Sequence, residues 1–327
     1  MIDTRIDTIS NIAYYNFIDS DNLSRSYKEH LSNYSSWEHK EHASEYLVYP
    51  ENIGEKLSID EVSISNGELY TIVTNKSAKG KKGALVSILN GTKVEEIEAV
   101  LLKIPSEKRL KVKEITLDMA KNMESAAEKS FPKASKVTDR FHVVRLVSDA
   151  LQHVRIKYRW DAIKTENGAI KKARENHTHY HSEVLANGDT RKQLLARSRY
   201  LLFKSPANWS RKQQLRAELL FKEYPILKQA YHLSMNFRGL YNCQDKIKAR
   251  MKMLEWIEDT EKSGIDEFNT AANSIKINLD NILNFFHNRS TNANAESFNA
   301  KLKGFRAIQR GVKDINFFLF RLEKLFA

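Results

Sequence analysis

Three aspartates in this chain stand where apolar runs end or are interrupted, a position that suits carboxylates for chemistry. Val112, Ile115 and Leu117 form a short β-rich run closed by Asp118. Ala134 to Thr138 form a second, closed by Asp139 and followed at once by Arg140, Phe141 and His142. Asp60 lies beside Glu61 inside a third run, LSIDEVSI, residues 57–64. At the carboxyl edge of strands in an α/β sheet, polar groups face the crevice that holds ligands. Two carboxylates brought to one such site repel and raise each other's pKa, and a divalent cation relieves the conflict. Mg²⁺ suits this role because it takes carboxylate oxygens and keeps waters for substrate phosphates. The competing role for Asp118 and Asp139 is helix capping, since each precedes a helical stretch.

A fourth acid sits far away, in TNANAESFNAKLKGFRAIQRG at residues 291–311, where Glu296 is the only acid between Asp280 and Asp314. In a helix Asn292, Glu296 and Asn299 share one face, Lys303 extends it, and Phe298, Leu302 and Phe305 face a core on another side. A solvated glutamate is the plain alternative. His177, His179 and His181 read as a polar loop, because alternate spacing puts the middle ring off any shared helix face.

The elements that must position these acids follow from periodicity and punctuation. Residues 1–50 carry scattered aromatics and read as short helices and loops. Leu57 onward is a strand, Asn66-Gly67 a hairpin signal, and ELYTIVTN the returning strand. A Gly-Lys-rich turn at Lys79 to Lys82 leads to a third strand, ALVSILN. Val94, Ile97, Val100, Leu101 and Ile104 recur at helical spacing up to Pro105. The Asp118 strand, a helix stopping at Phe131-Pro132, and the Asp139 strand complete the series. Hairpins followed by alternating helices and strands predict an α/β fold, a mixed sheet of ribonuclease H architecture. In that topology the first and fourth strands are neighbours, which brings Asp60 and Asp118 together across 58 positions.

From about Val143 to Phe286 the pattern is helical, with Arg155, Lys157, Tyr158, Arg159 and Trp160, then Arg197, Arg199 and Tyr200, mixing cations and rings. The net charge is +12. Residues 1–135 carry 18 Lys+Arg against 21 Asp+Glu, and residues 136–327 carry 35 against 20, so the excess lies wholly in the second part. That imbalance points to a polyanion partner. One cysteine excludes a disulfide framework and a Cys-rich zinc site within the chain. Without a basic-apolar leader or a spanning apolar run, a cytoplasmic protein with no membrane partner is expected.

Taken together, Asp60 in SIDEVSI, Asp118 in TLDMA, the run Asp139-Arg140-Phe141-His142 and Asn294-Ala295-Glu296-Ser297-Phe298-Asn299 resemble the DDE transposases of bacterial insertion sequences. The likeness is greatest to the ISL-three family of the wider Mutator-like group, in which a strand with Asp or Cys, and a His three positions on, follow the second catalytic Asp. It covers roughly residues 55–327. The resemblance implies that Asp60, Asp118 and Glu296 bind two Mg²⁺ or Mn²⁺ ions and catalyse phosphoryl transfer on DNA. Asp139, His142 and Asn299 then support the site, and Arg140, Arg145, Arg155, Lys303, Arg306 and Arg310 contact DNA. It further implies an N-terminal segment at 1–54, core at 55–145, a large all-helical insertion at 146–285 and closing core helices at 286–327. DNA, both element ends and target, is the implied partner, bound by a homo-oligomer associated with the bacterial nucleoid. Family members usually begin with a zinc-binding segment and a helix-turn-helix, absent before Asp60. A separate end-recognition polypeptide or a truncated reading frame accounts for that. A non-catalytic DNA-binding remnant and a ribonuclease H-fold nuclease are the rival readings, and Asp139 or Glu61 replaces Glu296 should the helix lie elsewhere.

Overall fold

The computed structural model describes residues 1–64, 67–289 and 293–327, excluding the side chains of Asn288 and Asn294. Asn66 of the expected turn and Asn292 of the expected helix face lie outside the described residues. In chain order the elements are α1 (Ile9–Tyr15), α2 (Ser20–Ser26), β1 (Tyr46–Val48), β2 (Lys56–Ser63), β3 (Leu69–Asn75), β4 (Leu85–Asn90), α3 (Val94–Leu101), α4 (Ser106–Arg109), β5 (Glu114–Leu117), α5 (Lys121–Ser130) and β6 (Ser135–Thr138). There follow α6 (Arg140–Glu175), α7 (Arg191–Arg197), α8 (Arg211–Glu223), α9 (Pro225–Leu240), α10 (Lys246–Ser263), α11 (Asp266–Ile277), α12 (Leu279–Leu283), α13 (Phe285–Asn288), α14 (Ala293–Ile308) and α15 (Ile315–Phe326). The chain divides into two compact units, residues 1–139 with 288–327, and residues 140–287.

The first unit is built on a mixed sheet of order β1-β4-β3-β2-β5-β6. The β1/β4, β4/β3 and β3/β2 pairs are antiparallel, whereas β2/β5 and β5/β6 are parallel. Both faces are covered, so β3 to β5 read as nearly unbroken buried runs. Alternation along β2 sends Leu57 and Ile59 into a core with α3 and α5, where Ile97, Leu101, Met123 and Ala126 meet them. Val62 goes to the other face, against Phe298, Leu302 and Phe305 of α14 and Phe318 and Leu319 of α15.

Residues 1–50 differ from expectation in two ways. Tyr46–Val48 is an edge strand, too short to show a period, and it exists because β4 offers it a backbone partner. The second difference is burial: Tyr34 and Trp37 lie in irregular backbone, as expected, yet they are buried, packing on Phe320 at 5.1 and 5.3 Å between ring centroids. Trp37 Nε1 and Tyr49 Oη both donate to Glu323 Oε2, at 2.7 and 2.8 Å. Arg321, only 1% exposed, donates to the carbonyl of Ile2 at 2.8 Å. The N-terminal segment thereby closes over α15.

The second unit is helical throughout. The 36-residue α6 is its spine, with α7, α9 and α11 packed along it. Trp256 anchors α10 to α9 through Phe237, 4.6 Å away between ring centroids, and through the Leu233 carbonyl at 2.8 Å. His177, His179 and His181 fall in the irregular segment between α6 and α7, as their spacing predicts. No helix among the described residues is long and apolar enough to cross a membrane.

Phe298 is fully buried and edge-on to Phe326 at 4.9 Å. Phe298→Ala leaves a cavity under α14 and is expected to cost about 3–5 kcal/mol in urea denaturation. A loss below about 1 kcal/mol would show that α14 is not held by this core.

Candidate active site

The register of β2 on β5 pairs Lys56 with Glu114, Leu57 with Ile115 and Ser58 with Thr116. Carried two residues on, the same offset leads from Asp60 to Asp118. The β5/β6 register runs from Glu114 and Ser135 to Leu117 and Thr138, and the Asp139 amide continues it by donating to the Leu117 carbonyl at 2.8 Å. Asp60, Asp118 and Asp139 therefore form a row across three parallel strands spaced about 4.8 Å apart. Asp60 and Asp118 are half-buried, and Asp139 is buried.

The first two carboxylates are held by neutral donors. Asp60 Oδ1 accepts from the Glu61 amide at 2.8 Å, and Asp60 Oδ2 accepts from Asn299 Nδ2 at 2.6 Å. Asn299 is buried on α14, which stays beside β2 as far as Arg306, whose Nη1 donates to the Ser63 carbonyl at 3.0 Å. Glu296 is exposed one turn before Asn299, and residues three apart on a helix are neighbours, about 5–6 Å between Cβ atoms. Asp118 Oδ1 accepts from the Ala120 amide at 2.8 Å, a turn that precedes α5. Its role is not the cap of that helix, because the capping position is Ala120.

Two further polar residues join this region without a sequence signal strong enough to single them out. Asn122, four positions after Asp118, hydrogen-bonds Glu61 and donates to the Thr92 carbonyl at 2.7 Å. Lys76 is buried below the row, where its Nζ donates to Thr116 Oγ1 at 2.8 Å and Glu114 Oε1 at 3.2 Å. Burial pushes the Lys76 ammonium below its ordinary pKa, opposed by Glu114 and Asp139. Glu61 is pushed above the ordinary carboxyl range, first by burial and then by the charge of Asp118, with Asp60 adding to the rise and Asn122 opposing it.

Among the described residues no three His, Cys, Asp or Glu side chains close around one point as a finished metal cage. The sheet instead aligns two carboxylates, and α14 carries the third acid one turn from the residue that binds Asp60. Such a donor set fits a hard divalent cation because it is all oxygen, and the charges of Asp118 and Asp60 add to the burial that raises Glu61.

The cations expected at DNA fall into different settings. Lys303, Arg306 and Arg310 line a shallow cavity of about 400 Å³ at the end of α14. In the second unit Arg140 is exposed with its guanidinium 5.1 Å from the Tyr241 ring centroid, and Arg145 is exposed 3.5 Å from Asp149. His142 is half-buried in the first turn of α6. Arg155 departs from expectation: it is buried, donating to the Leu195 carbonyl at 3.0 Å and to Gln152 Oε1 at 2.7 Å. Its donors hold α7 against α6, which removes it from the surface. Lys157 and Lys192 pair with Glu267 and Glu166. Arg159, Trp160, Arg199 and Tyr200 remain exposed.

Asn299→Ala removes one donor from Asp60 and leaves the core phenylalanines in place. It is expected to weaken Mn²⁺ binding about 10–100-fold in calorimetry with little change in melting temperature. For Glu61 the sign of the pH effect is fixed by its raised pKa. Its contribution to stability is present below the ordinary carboxyl pKa of about 4.3 and is lost as pH rises through the raised value. In chelator, the melting temperature of Glu61→Gln minus that of the parent is therefore expected to grow between about pH 4 and pH 7. Parallel curves would show that burial and the neighbouring charges do not raise Glu61.

A family model described as Transposase, for DDE transposases of the ISL3 group, matches residues 57–322. Over 274 residues, 83% of its length, the chain is 23% identical to the Transposase for insertion sequence element IS1001 of Bordetella parapertussis. It spans 61% of the length of that relative. The matched range takes in β2 with Asp60, β5 with its closing Asp118, the whole helical unit and α14 with Glu296. On that match, over a mixed sheet whose acids line up across parallel strands, the chain belongs to the ISL3 family of DDE transposases.

Proposed function

We propose that this chain cleaves DNA strands at the ends of an insertion sequence and joins the freed ends to target DNA, with Asp60, Asp118 and Glu296 as the acids of a divalent-metal site. The observation that carries the reading is the β2/β5 register leading to Asp60 and Asp118, together with the bond from Asn299 of α14 to Asp60. Asp60, Asp118 and Glu296 would hold two Mg²⁺ or Mn²⁺ ions, whose chemistry when bound would be activation of the attacking oxygen and stabilisation of the leaving one. The chain's own task is to keep oxygen donors convergent and charged. Asn299 and the Glu61 amide orient Asp60, and the Ala120 amide fixes Asp118 Oδ1. Asn299 is thus a positioning residue, acting through Asp60.

Hydrolysis at an element end and attack by a 3′-hydroxyl on target DNA are both in-line displacements at phosphorus, so one site serves both. Asp139, at the end of the row, and His142, at the start of α6, are the proposed supporting residues. DNA contact is assigned to Lys303, Arg306 and Arg310 in the first unit and to Arg140 and Arg145 in the second. The exposed Arg159 and Trp160, and Arg199 lying 5.4 Å from the ring centroid of Tyr200, add cations and stacking faces to the second unit. Recognition of particular element ends is assigned to a separate polypeptide or segment, and assembly on DNA to more than one copy.

Asp118→Asn is expected to abolish Mg²⁺-dependent strand cleavage, with a loss of at least about 10³-fold, while duplex binding at low salt persists. Undiminished cleavage by that variant would overturn the assignment of the acids. A strand-transfer assay with a pre-cleaved end separates a transposase, which joins, from a nuclease, which only cuts.

A further inference from the structure

Between Glu68 and Glu95 the chain contains no acid, yet it carries Lys76, Lys79, Lys81, Lys82 and Lys93. Lys76 is buried in the layer under the acids, whereas Lys79, Lys81 and Lys82 are exposed on the turn joining β3 to β4. None of these three forms an ion pair among the described residues. Lys93, Lys113 and Lys129 of the first unit pair with Glu96, Glu55 and Glu98, whereas Lys103, Lys111, Lys121 and Lys133 are also exposed without an ion pair among the described residues, so what marks the turn is three such lysines within four positions. Concentrating unpaired cations on one turn is electrostatically unfavourable in the absence of an anion.

The turn is also built rather than loose. Asn75 Oδ1 accepts from the Ser77 amide at 3.0 Å, and Asn75 Nδ2 donates to the Asn52 carbonyl at 2.9 Å. Lys79 takes a left-handed conformation, φ 52°, with its amide on the Lys76 carbonyl. The amides of Lys81 and Ala84 donate to the carbonyls of Ala78 and Lys81, each at 3.0 Å. The Gly80 carbonyl accepts from Lys301 Nζ at 2.6 Å, which ties the turn to α14, the helix that carries Glu296 and Asn299.

Its place relative to the acids follows from the β2/β3 register, in which Asn75 is opposite Leu57 and Asp60 lies three positions further along β2. Three strand positions span about 10 Å. Beyond Asp60 in the other direction, Arg306 reaches Ser63 and marks the cationic end of α14. Along β2, therefore, the acids are bracketed by cations on both sides. A rise of about 3.4 Å per nucleotide makes that 10 Å step about three nucleotides of a DNA strand.

We propose that Lys79, Lys81 and Lys82 form a phosphate-binding turn that grips the DNA backbone about three nucleotides or more from the phosphate cleaved at Asp60 and Asp118. The assignment rests on the DNA-cleaving reading above and adds to it a second, sequence-independent contact surface on the opposite side of the acids from Arg306. Anchoring through Lys301 gives the turn a fixed distance from α14, so it positions the strand as well as attracting it.

The test measures binding of the full chain to a labelled random-sequence duplex by fluorescence anisotropy across a salt series. Lys79→Asn, Lys81→Gln and Lys82→Gln combined keep the turn's conformation, since Asn tolerates the left-handed region. The slope of log affinity against log salt is expected to become shallower by about 2–3, near 0.9 for each phosphate that is no longer neutralised. Arginine at the same three positions is expected to restore the parental slope. A slope unchanged in the neutral variant overturns the phosphate-binding turn while leaving Asp118→Asn to judge the transposase reading separately. Absence of salt-dependent binding by the parent overturns both.

Discussion

The parallel pairing of β2 with β5 is the constraint to which the rest of the first unit answers. It commits two carboxylates to adjoining positions on one sheet, where like charges oppose each other. Neutral groups orient these carboxylates: Asn299 and backbone amides bond Asp60 and Asp118, and Asn122 bonds Glu61. Amide donors orient an oxygen and leave its charge available, whereas a lysine or arginine in the same place would complete an ion pair. Lys76 is set one layer lower, where it meets Glu114 and Thr116. Carboxylate oxygens oriented in this way suit a divalent cation.

α14 is the element through which distant sequence reaches this site. Its phenylalanines and Leu302 fill the core over the sheet, and that packing fixes the rotation of the helix about its axis. With the rotation fixed, Asn299 meets Asp60, Glu296 is placed one turn earlier, and Arg306 meets the end of β2. The N-terminal segment reinforces the arrangement from behind. Trp37, Tyr49 and Arg321 bind it to α15, which shares the same core. Burial of aromatic area supplies the energy, and the hydrogen bonds supply the geometry.

The helical unit shows how misleading a run of basic residues is without a fold. Arg155, Lys157 and Lys192 stand in similar sequence surroundings to Arg159 and Arg199, yet the first three are used inside the unit. Burial of Arg155 is tolerated because its donors find a carbonyl and an amide oxygen. The excess charge that remains outside is what makes an anionic partner the consistent reading.

Much of the sheet was legible because strand and helix periods are local: β2 to β6, the stop of α5 before Phe131-Pro132 and the buried face of α14 all follow from spacing and punctuation. The pairing of the Asp60 and Asp118 strands was legible too, since hairpins followed by strand-helix alternation leave few topologies. β1 was not, because three residues carry no period and depend on the free edge of β4. Nor were the parts played by Asn122 and Lys76, or the burial of Arg155, because polar side chains show no pattern in sequence that distinguishes a solvated position from a buried, bonded one. Residue types and periods thus set which acids stand at strand ends and which helix face is apolar. Only the tertiary structure decided which neutral donor meets which carboxylate and which cations stay outside, because those outcomes depend on contacts between distant segments, such as Asn299 and Asp60, 239 positions apart.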